Sequence, residues 1–279
     1  MPNILTFDIE EARHMNFGGQ NIASDPAGLA RGLDSILKML TDSKAKATFF
    51  IVGDLIEPNK DLIRRVANAG HELAFHGMSH KLVYNMSESE FDADISIGKK
   101  MLESISGEKV IGYRAPSWSV SAKQTPRFWE ILKRVGFEYS SSLFPLKTPL
   151  YGDNHAPRFP HFRGTKHGKI LEIPVPTARF IKNIPFSGGA YFRYLADWER
   201  KILEYFWNVS GCPIVYYFHM RDLDLEKSSP EARLMSRVIN YWGNARARKR
   251  FENLLRYSKF TTISEALPIL RKFDSTGAK

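Results

Sequence analysis

The feature that most constrains this chain is its alternation of short, almost wholly apolar runs with stretches of helical period. Asn3–Ile9 (N-I-L-T-F-D-I) and residues 47–52 (A-T-F-F-I-V) are too uniformly apolar for strands with one wet face, and read as strands buried on both sides. Between them, residues 25–41 place Leu29, Leu33, Ile36, Leu37 and Leu40 on one stripe, the spacing of a helix. The alternation continues. A helix is predicted over 59–68, closed by Gly70, then a strand over Glu72–Phe75. A helix over 87–105 opens on the capping box Ser87-Glu88-Ser89-Glu90, and a strand follows at 110–113. A helix over 126–135, ended by Gly136, leads to a short strand at 138–140. Strand, crossover helix, strand is the pattern of a parallel sheet. The fold class expected is therefore α/β, a barrel whose chemistry sits at the C-terminal ends of its strands.

The second half is less regular. Residues 145–163, rich in Pro, Gly, Asp and His, read as a long loop, and 170–175 as a strand. Residues 185–191 carry Gly188-Gly189, a pair that lets backbone approach closely. A helix over 196–209, a strand over 214–219, mostly helix over 231–257, a short strand over 260–263 and a terminal helix complete the chain. With no linker, repeat or low-complexity tract in sight, residues 1–279 are expected to form a single catalytic domain.

Composition narrows the function classes. Hydrophobic residues make up 43% of the 279, enough for a sizeable core. The lone cysteine, Cys212, excludes an internal disulfide and a thiolate metal cluster. The N-terminus M-P-N-I-L-T-F lacks the charged and apolar regions of a secretory signal, and no run of about 18 apolar residues occurs. The expected location is cytoplasmic. The net charge of +10 favours an acidic partner, such as a phosphorylated substrate or, through peripheral contact, an anionic membrane. Nucleic acid is not expected, because no nucleic-acid motif accompanies the charge. The densest basic run, Arg246, Arg248, Lys249 and Arg250, reads first as a solvated helix face.

The chemistry-bearing residues collect where the barrel logic puts them. Asp8 and Glu10 are two apart at the end of the first strand, the spacing that points both to one side. His76 and His80 lie in H-G-M-S-H, four apart, the spacing of one helical turn. These four form a mixed oxygen and nitrogen set suited to a catalytic divalent metal, with one carboxylate to spare. Arg114 and His219 likewise fall at the ends of predicted strands. The neighbouring H-E-L-A-F-H fails as a zinc-protease helix, since three residues rather than two separate the glutamate from the second histidine. His71 and Glu72 are accordingly read as structural.

At these residues the chain resembles the polysaccharide deacetylase family, the NodB-homology or carbohydrate esterase family 4 group. T-F-D-I-E at 6–10, H-G-M-S-H at 76–80, R-A-P-S at 114–117 and Y-F-H at 217–219 match its motifs in order. S-G-G-A-Y-F-R at 187–193 and F-T-T-I-S-E-A-L at 260–267 resemble the branch found in exopolysaccharide and lipopolysaccharide gene clusters. The resemblance implies a distorted (β/α)7-type barrel. It implies Asp8 as general base and Glu10, His76 and His80 as ligands of a divalent metal, zinc first, with cobalt, nickel or iron as alternatives. It further implies His219 as general acid and Arg114 as the residue that holds Asp8 ionised. Trp118, Gly188, Gly189 and Tyr191 are the substrate-binding candidates.

Three departures from the family stand out. Its first motif commonly ends in two adjacent aspartates, whereas here Ile9 intervenes and Glu10 carries the second carboxylate. The aspartate that tunes the histidine falls at Ser140, leaving Asp222 or Asp224 as substitutes. The related branch reads H-P-W-E where this chain has His219-Met220-Arg221-Asp222.

The chemistry is coherent on its own terms. Amide hydrolysis needs an activated water, a stabilised oxyanion and a proton for the leaving amine, and these residues supply metal, base and acid. A backbone N–H within 117–119 is expected to complete the oxyanion hole. The expected function is removal of an N-acetyl or N-formyl group from an amino sugar in surface-polysaccharide assembly. The +10 charge suits a nucleotide- or lipid-linked substrate, with Arg179, Lys182, Arg193 and the 246–250 run as candidate phosphate contacts. The alternatives are hydrolysis of small non-sugar amides, as in allantoinases, and a catalytically degenerate sugar-binding scaffold.

Overall fold

The computed structural model describes residues 1–16, 23–179, 181–223 and 242–273. The predicted alternation is observed: β1 (Asn3–Ile9), α1 (Pro26–Ser43), β2 (Thr48–Ile51), α2 (Lys60–Asn68), β3 (Glu72–Phe75), α3 (Glu88–Ser106), β4 (Gly112–Tyr113), α4 (Phe128–Val135) and β5 (Tyr139–Ser140). Each crossover returns the chain parallel to the strand before it, so β1 to β5 lie side by side in order. The uniformly apolar strands are buried on both faces, as their composition requires: every residue of β2, and all of β1 after Asn3, is buried. The capping box at α3 is formed, with Ser87 Oγ accepting from the Glu90 N–H and Glu90 Oε2 accepting from the Ser87 N–H at 2.6 Å.

The second half departs from the sequence reading. An antiparallel hairpin, β6 (His161–Thr165) and β7 (Gly168–Glu172), extends the sheet edge. The expected loop over 145–163 therefore ends three residues early, and the strand expected at 170–175 begins and ends earlier. A second small hairpin, β8 (Thr177–Arg179) with β9 (Asn183–Pro185), was not anticipated. Then follow α5 (Gly189–Tyr194), α6 (Asp197–Asn208), β10 (Val215–His219), α7 (Met220–Leu223), α8 (Asn244–Tyr257), β11 (Phe260–Thr261) and α9 (Ile263–Leu270). The helix expected over 231–257 is observed in its second part, and 231–241 lie outside the described residues.

The main sheet runs β10-β1-β2-β3-β4-β5-β7-β6, with β11 also beside β1, and curls into a half-barrel. Next to β10 the chain closes further round, where Gly188 bridges Tyr217 in parallel. A side chain at Gly188 would collide with the Tyr217 backbone, so this approach requires glycine. Behind the strands the core is strongly aromatic, with Phe7 stacked on Phe49 at 5.2 Å and edge-on to Phe251 at 5.9 Å. Among the described residues no helix is long and apolar enough to cross a membrane.

Candidate active site

The C-terminal ends of β1, β3, β4 and β10 meet at one cleft. Asp8 and Glu10 leave the end of β1 on the same side, the two-residue period of a strand. His76 follows β3 directly. The spacing of His76 and His80 suggested a helical turn, but the intervening residues are a loop. Positive φ angles at Gly77 (77°) and His80 (56°) fold that loop back and bring the two imidazoles to 5.0 Å. His219 is the last residue of β10 and pairs in register with Asp8 across the strands.

Arg114, 1% exposed, follows β4 and reaches across the barrel floor. Its Nη1 donates to Asp8 Oδ1 at 2.6 Å and to Thr6 Oγ1 at 3.1 Å, and its Nη2 donates to Ser141 Oγ at 3.1 Å. The guanidinium lies 4.0 Å over the Phe50 ring. Burial by itself pushes the Asp8 carboxyl up. The Arg114 guanidinium, and behind it the imidazoles of His76 and His219, outweigh burial and hold it below the ordinary carboxylate value. Oδ1 is thus engaged, while Oδ2 faces His76 Nε2 at 3.9 Å and His219 Nε2 at 3.8 Å.

Glu10, His76 and His80 bring their ligand atoms within 4.8 Å of one another, all three buried. His76 Nδ1 sits 2.8 Å from the Arg114 carbonyl oxygen, so Nδ1 carries the proton and Nε2 offers its lone pair. Burial pushes His76 down to about 4, keeping it in the neutral form a metal needs. Burial pushes Glu10 up, but His80 and Arg221 overcome it and hold the carboxylate well below its ordinary value. Glu10 Oε2 is 2.8 Å from His80 Nε2 and accepts no hydrogen bond. A buried carboxylate oxygen facing imidazole nitrogens is a donor set that a divalent cation satisfies, so these residues fit a metal.

The substitute for the aspartate expected at position 140 is Asp222. Its Oδ2 accepts from the His219 backbone N–H at 2.8 Å and meets His219 Nδ1 at 3.1 Å. Burial pushes Asp222 up, but Arg193, with Nε 3.2 Å from Oδ1, and His219 hold it far below the ordinary range. Arg193 therefore serves Asp222, which corrects the expectation of a phosphate contact. Arg250 is likewise buried, paired with Asp197 at 2.7 Å and donating to the Phe192 carbonyl, so it is no part of a solvated face. Ser140 donates to Ser142 Oγ, and Asp224 lies outside the described residues.

Of the substrate candidates, Trp118, Gly189 and Tyr191 line the cleft, with Tyr151 and Tyr217 beside them. Gly188 is pressed on Tyr217 instead. Ser117 and Trp118 both hold positive φ, 49° and 46°, a strained turn in the cleft wall. The N–H groups of Trp118 and Ser119 bond to the carbonyls of Ala115 and Pro116, which removes both from the expected oxyanion role. His71 and Glu72 are structural, as read. Glu72 accepts from Thr48, Tyr139 and the Ser264 N–H.

Several site residues escaped the sequence reading. Arg221 ion-pairs with Glu10 Oε1, a role whose only signal was its place two residues after His219. Asn16 bridges His80 Nδ1 and Ser117 Oγ. Buried Glu172 accepts from the N–H groups of Ser142 and Leu143 and from the Trp129 indole, fixing the segment that holds Arg114.

Comparison with known proteins agrees with this geometry. Residues 5–140 match the polysaccharide deacetylase family, and residues 141–268 match a domain of unknown function (DUF3473). A peptidoglycan deacetylase of Helicobacter pylori is 27% identical over 62% of this chain, an alignment that spans 66% of its own length. A crystal structure from Mycobacterium smegmatis, described as a candidate polysaccharide deacetylase, superposes with a TM-score of 0.64 at 19% identity, covering 99% of this chain and 93% of that one. PuuE allantoinase superposes almost as well, with a TM-score of 0.62 at 17% identity over 98% of this chain and 90% of its own. The fold alone therefore does not choose between amide substrates. The matched residues 5–140 hold Asp8, Glu10, His76, His80 and Arg114, and this part of the chain is a polysaccharide deacetylase domain.

Proposed function

We propose that this protein is a metal-dependent N-deacylase that removes an acetyl or formyl group from an amino sugar during surface-polysaccharide assembly. The observation that carries the reading is a base and an acid, each fixed by its own partner, beside one buried donor set. Asp8 is clamped by Arg114 and His219 by Asp222, with Glu10, His76 and His80 beside them. A divalent cation, zinc for this donor set, would be held by Glu10, His76 and His80 and would supply Lewis-acid polarisation of the acyl carbonyl.

The chain's own groups do the rest. Asp8 Oδ2, the oxygen Arg114 leaves open, takes a proton from the attacking water as its oxygen bonds to the acyl carbon. His219 Nε2, turned into the cleft by Asp222, gives a proton to the sugar nitrogen as the C–N bond breaks. The products are the acid and the free amine. The aromatic wall of Trp118, Tyr151 and Tyr191 offers ring faces for a sugar, and the buried Trp118 indole N–H has no acceptor among the described residues. The name of the Helicobacter relative supports an N-acetylated amino sugar as substrate class. The net charge of +10 supports a phosphate-bearing form of it, nucleotide- or lipid-linked.

The test combines metal analysis of the purified protein with acetate and formate release from N-acylated amino sugars and from a panel of small amides. The expected result is stoichiometric divalent metal and turnover of the sugars. Asp8→Asn should lower kcat by roughly 10²–10⁴ with metal retained. Absence of metal, together with absence of turnover after adding zinc or cobalt, would overturn the reading.

A further inference from the structure

We infer that α6 is a docking face for the surface of an anionic lipid bilayer, placed beside the cleft. Trp198, Ile202, Tyr205, Phe206 and Val209 recur at helical spacing and are between 43% and 73% exposed. The opposite side of the same helix buries Arg200, Leu203 and Trp207 in the core. The exposed side is thus a continuous apolar stripe, not a scatter of single residues, and such stripes mark contact surfaces.

Three observations favour a bilayer as the occupant. The stripe mixes Trp and Tyr with aliphatic residues, side chains that place an apolar body in the acyl boundary and a polar tip at the headgroups. Its border carries cations. Lys201 is exposed on the helix, and Arg179 and Lys182 are exposed on the β8–β9 hairpin that packs against it. The acidic groups of α6 are engaged by partners: exposed Asp197 is neutralised by Arg250, Glu199 accepts from the Ala196 N–H, and Glu204 is held by Arg200 and the Tyr216 hydroxyl. An apolar face bordered by cations, on a chain of net charge +10, attracts anionic headgroups and repels a second copy of itself. Lastly, α6 follows α5, which lines the site, after two residues. Exposed Tyr194, tilted against exposed Trp242 with ring centres 5.3 Å apart, ends α5, and Gly189 and Tyr191 of α5 line the cleft. A protein seated on this face holds its cleft at the membrane surface. The inference does not depend on which amide the cleft cleaves.

The experiment is co-sedimentation of the full chain with phosphatidylglycerol vesicles and with phosphatidylcholine vesicles, paired with sedimentation velocity without lipid. The wild type should bind the phosphatidylglycerol vesicles, and salt should weaken the binding. The variant Trp198→Ser/Ile202→Ser/Phe206→Ser should bind at least about tenfold more weakly, with an unchanged circular dichroism spectrum and unchanged turnover of a soluble N-acylated sugar. Arg179→Glu/Lys182→Glu/Lys201→Glu should lose binding to phosphatidylglycerol. Failure of the wild type to sediment with lipid, or equal sedimentation of the triple-serine variant, would overturn the inference. A wild-type dimer that the serine substitutions dissolve would also overturn it, by assigning the face to a second copy.

Discussion

Asp222 is the residue on which the acid half of the site turns. It lies three positions after His219, on the first turn of α7, so the junction of β10 and α7 delivers the acid and its partner together. A carboxylate there fixes which imidazole nitrogen carries a proton and keeps Nε2 aimed at the cleft. Asp222→Asn should lower kcat by roughly 10²–10⁴-fold with little change in KM, because the wrong nitrogen then carries the proton. It also weakens the ion pair of Asp222 with Arg193, which is 3% exposed, and so lowers stability. Steady-state kinetics and urea unfolding separate the two effects. Asp222→Glu should recover much of both, since it restores the charge. A KM effect with kcat unchanged would show that Asp222 does not act through His219. Glu10 follows the same logic on the metal side. Its longer side chain is steadied through Oε1 by Arg221, which leaves Oε2 to face His80.

At the scale of elements, the packing of α3 on β3 sets where His76 stands. Gly98, buried in α3, lies flat against the Phe75 ring, and a methyl group there would overlap it. Alanine is ordinarily worth about 1 kcal/mol over glycine inside a helix. Here overpacking reverses the sign, and Gly98→Ala should destabilise the fold by about 1–3 kcal/mol. Denaturant unfolding checks the sign, and a fall in metal affinity checks that the strain reaches His76, the next residue after Phe75. This dependence on tertiary fit marks the limit of what was legible beforehand. Strands β1 to β5 and β10 could be read because buried parallel strands are apolar runs, and the ends of β1, β3, β4 and β10 named Asp8, His76, Arg114 and His219. The edge strand β6, H-F-R-G-T, has only His161 buried, so it carries no apolar signal and looked like loop. The close approach of His76 and His80 rests on left-handed backbone at Gly77 and His80, which spacing alone presents as a helical turn. Arg221, Asn16 and Glu172 act through partners far along the chain, and nothing local distinguishes them from surface polar residues.

On the scale of the whole molecule, so many buried ionisable groups make stability depend on pH. His71 and His76 are both pushed down to about 4 by burial, against an ordinary value of 6.5. The unfolded chain therefore binds protons at these two positions before the folded protein does. Their stabilisation is complete above pH 6.5 and is lost as pH falls through the window from 6.5 to 4, amounting to about 2 kcal/mol each between pH 7 and pH 5. Asp8, Glu10 and Asp222, held below the ordinary carboxylate range, extend the loss to lower pH as they protonate. Buried Glu72 and Glu172 work in the opposite sense, since burial raises them and the folded state gains protons first. His71 isolates the histidine contribution, because it packs beside Phe49 at 5.3 Å, away from the metal ligands. In metal-free protein, urea midpoints should fall steeply from pH 7 to pH 5. In His71→Gln the same interval should cost about 2 kcal/mol less than in the wild type. Equal slopes in the two proteins would mean that His71 becomes protonated in the folded state at its ordinary pH. Added divalent metal should steepen the wild-type dependence further, since protons then compete with the cation for His76 and His80.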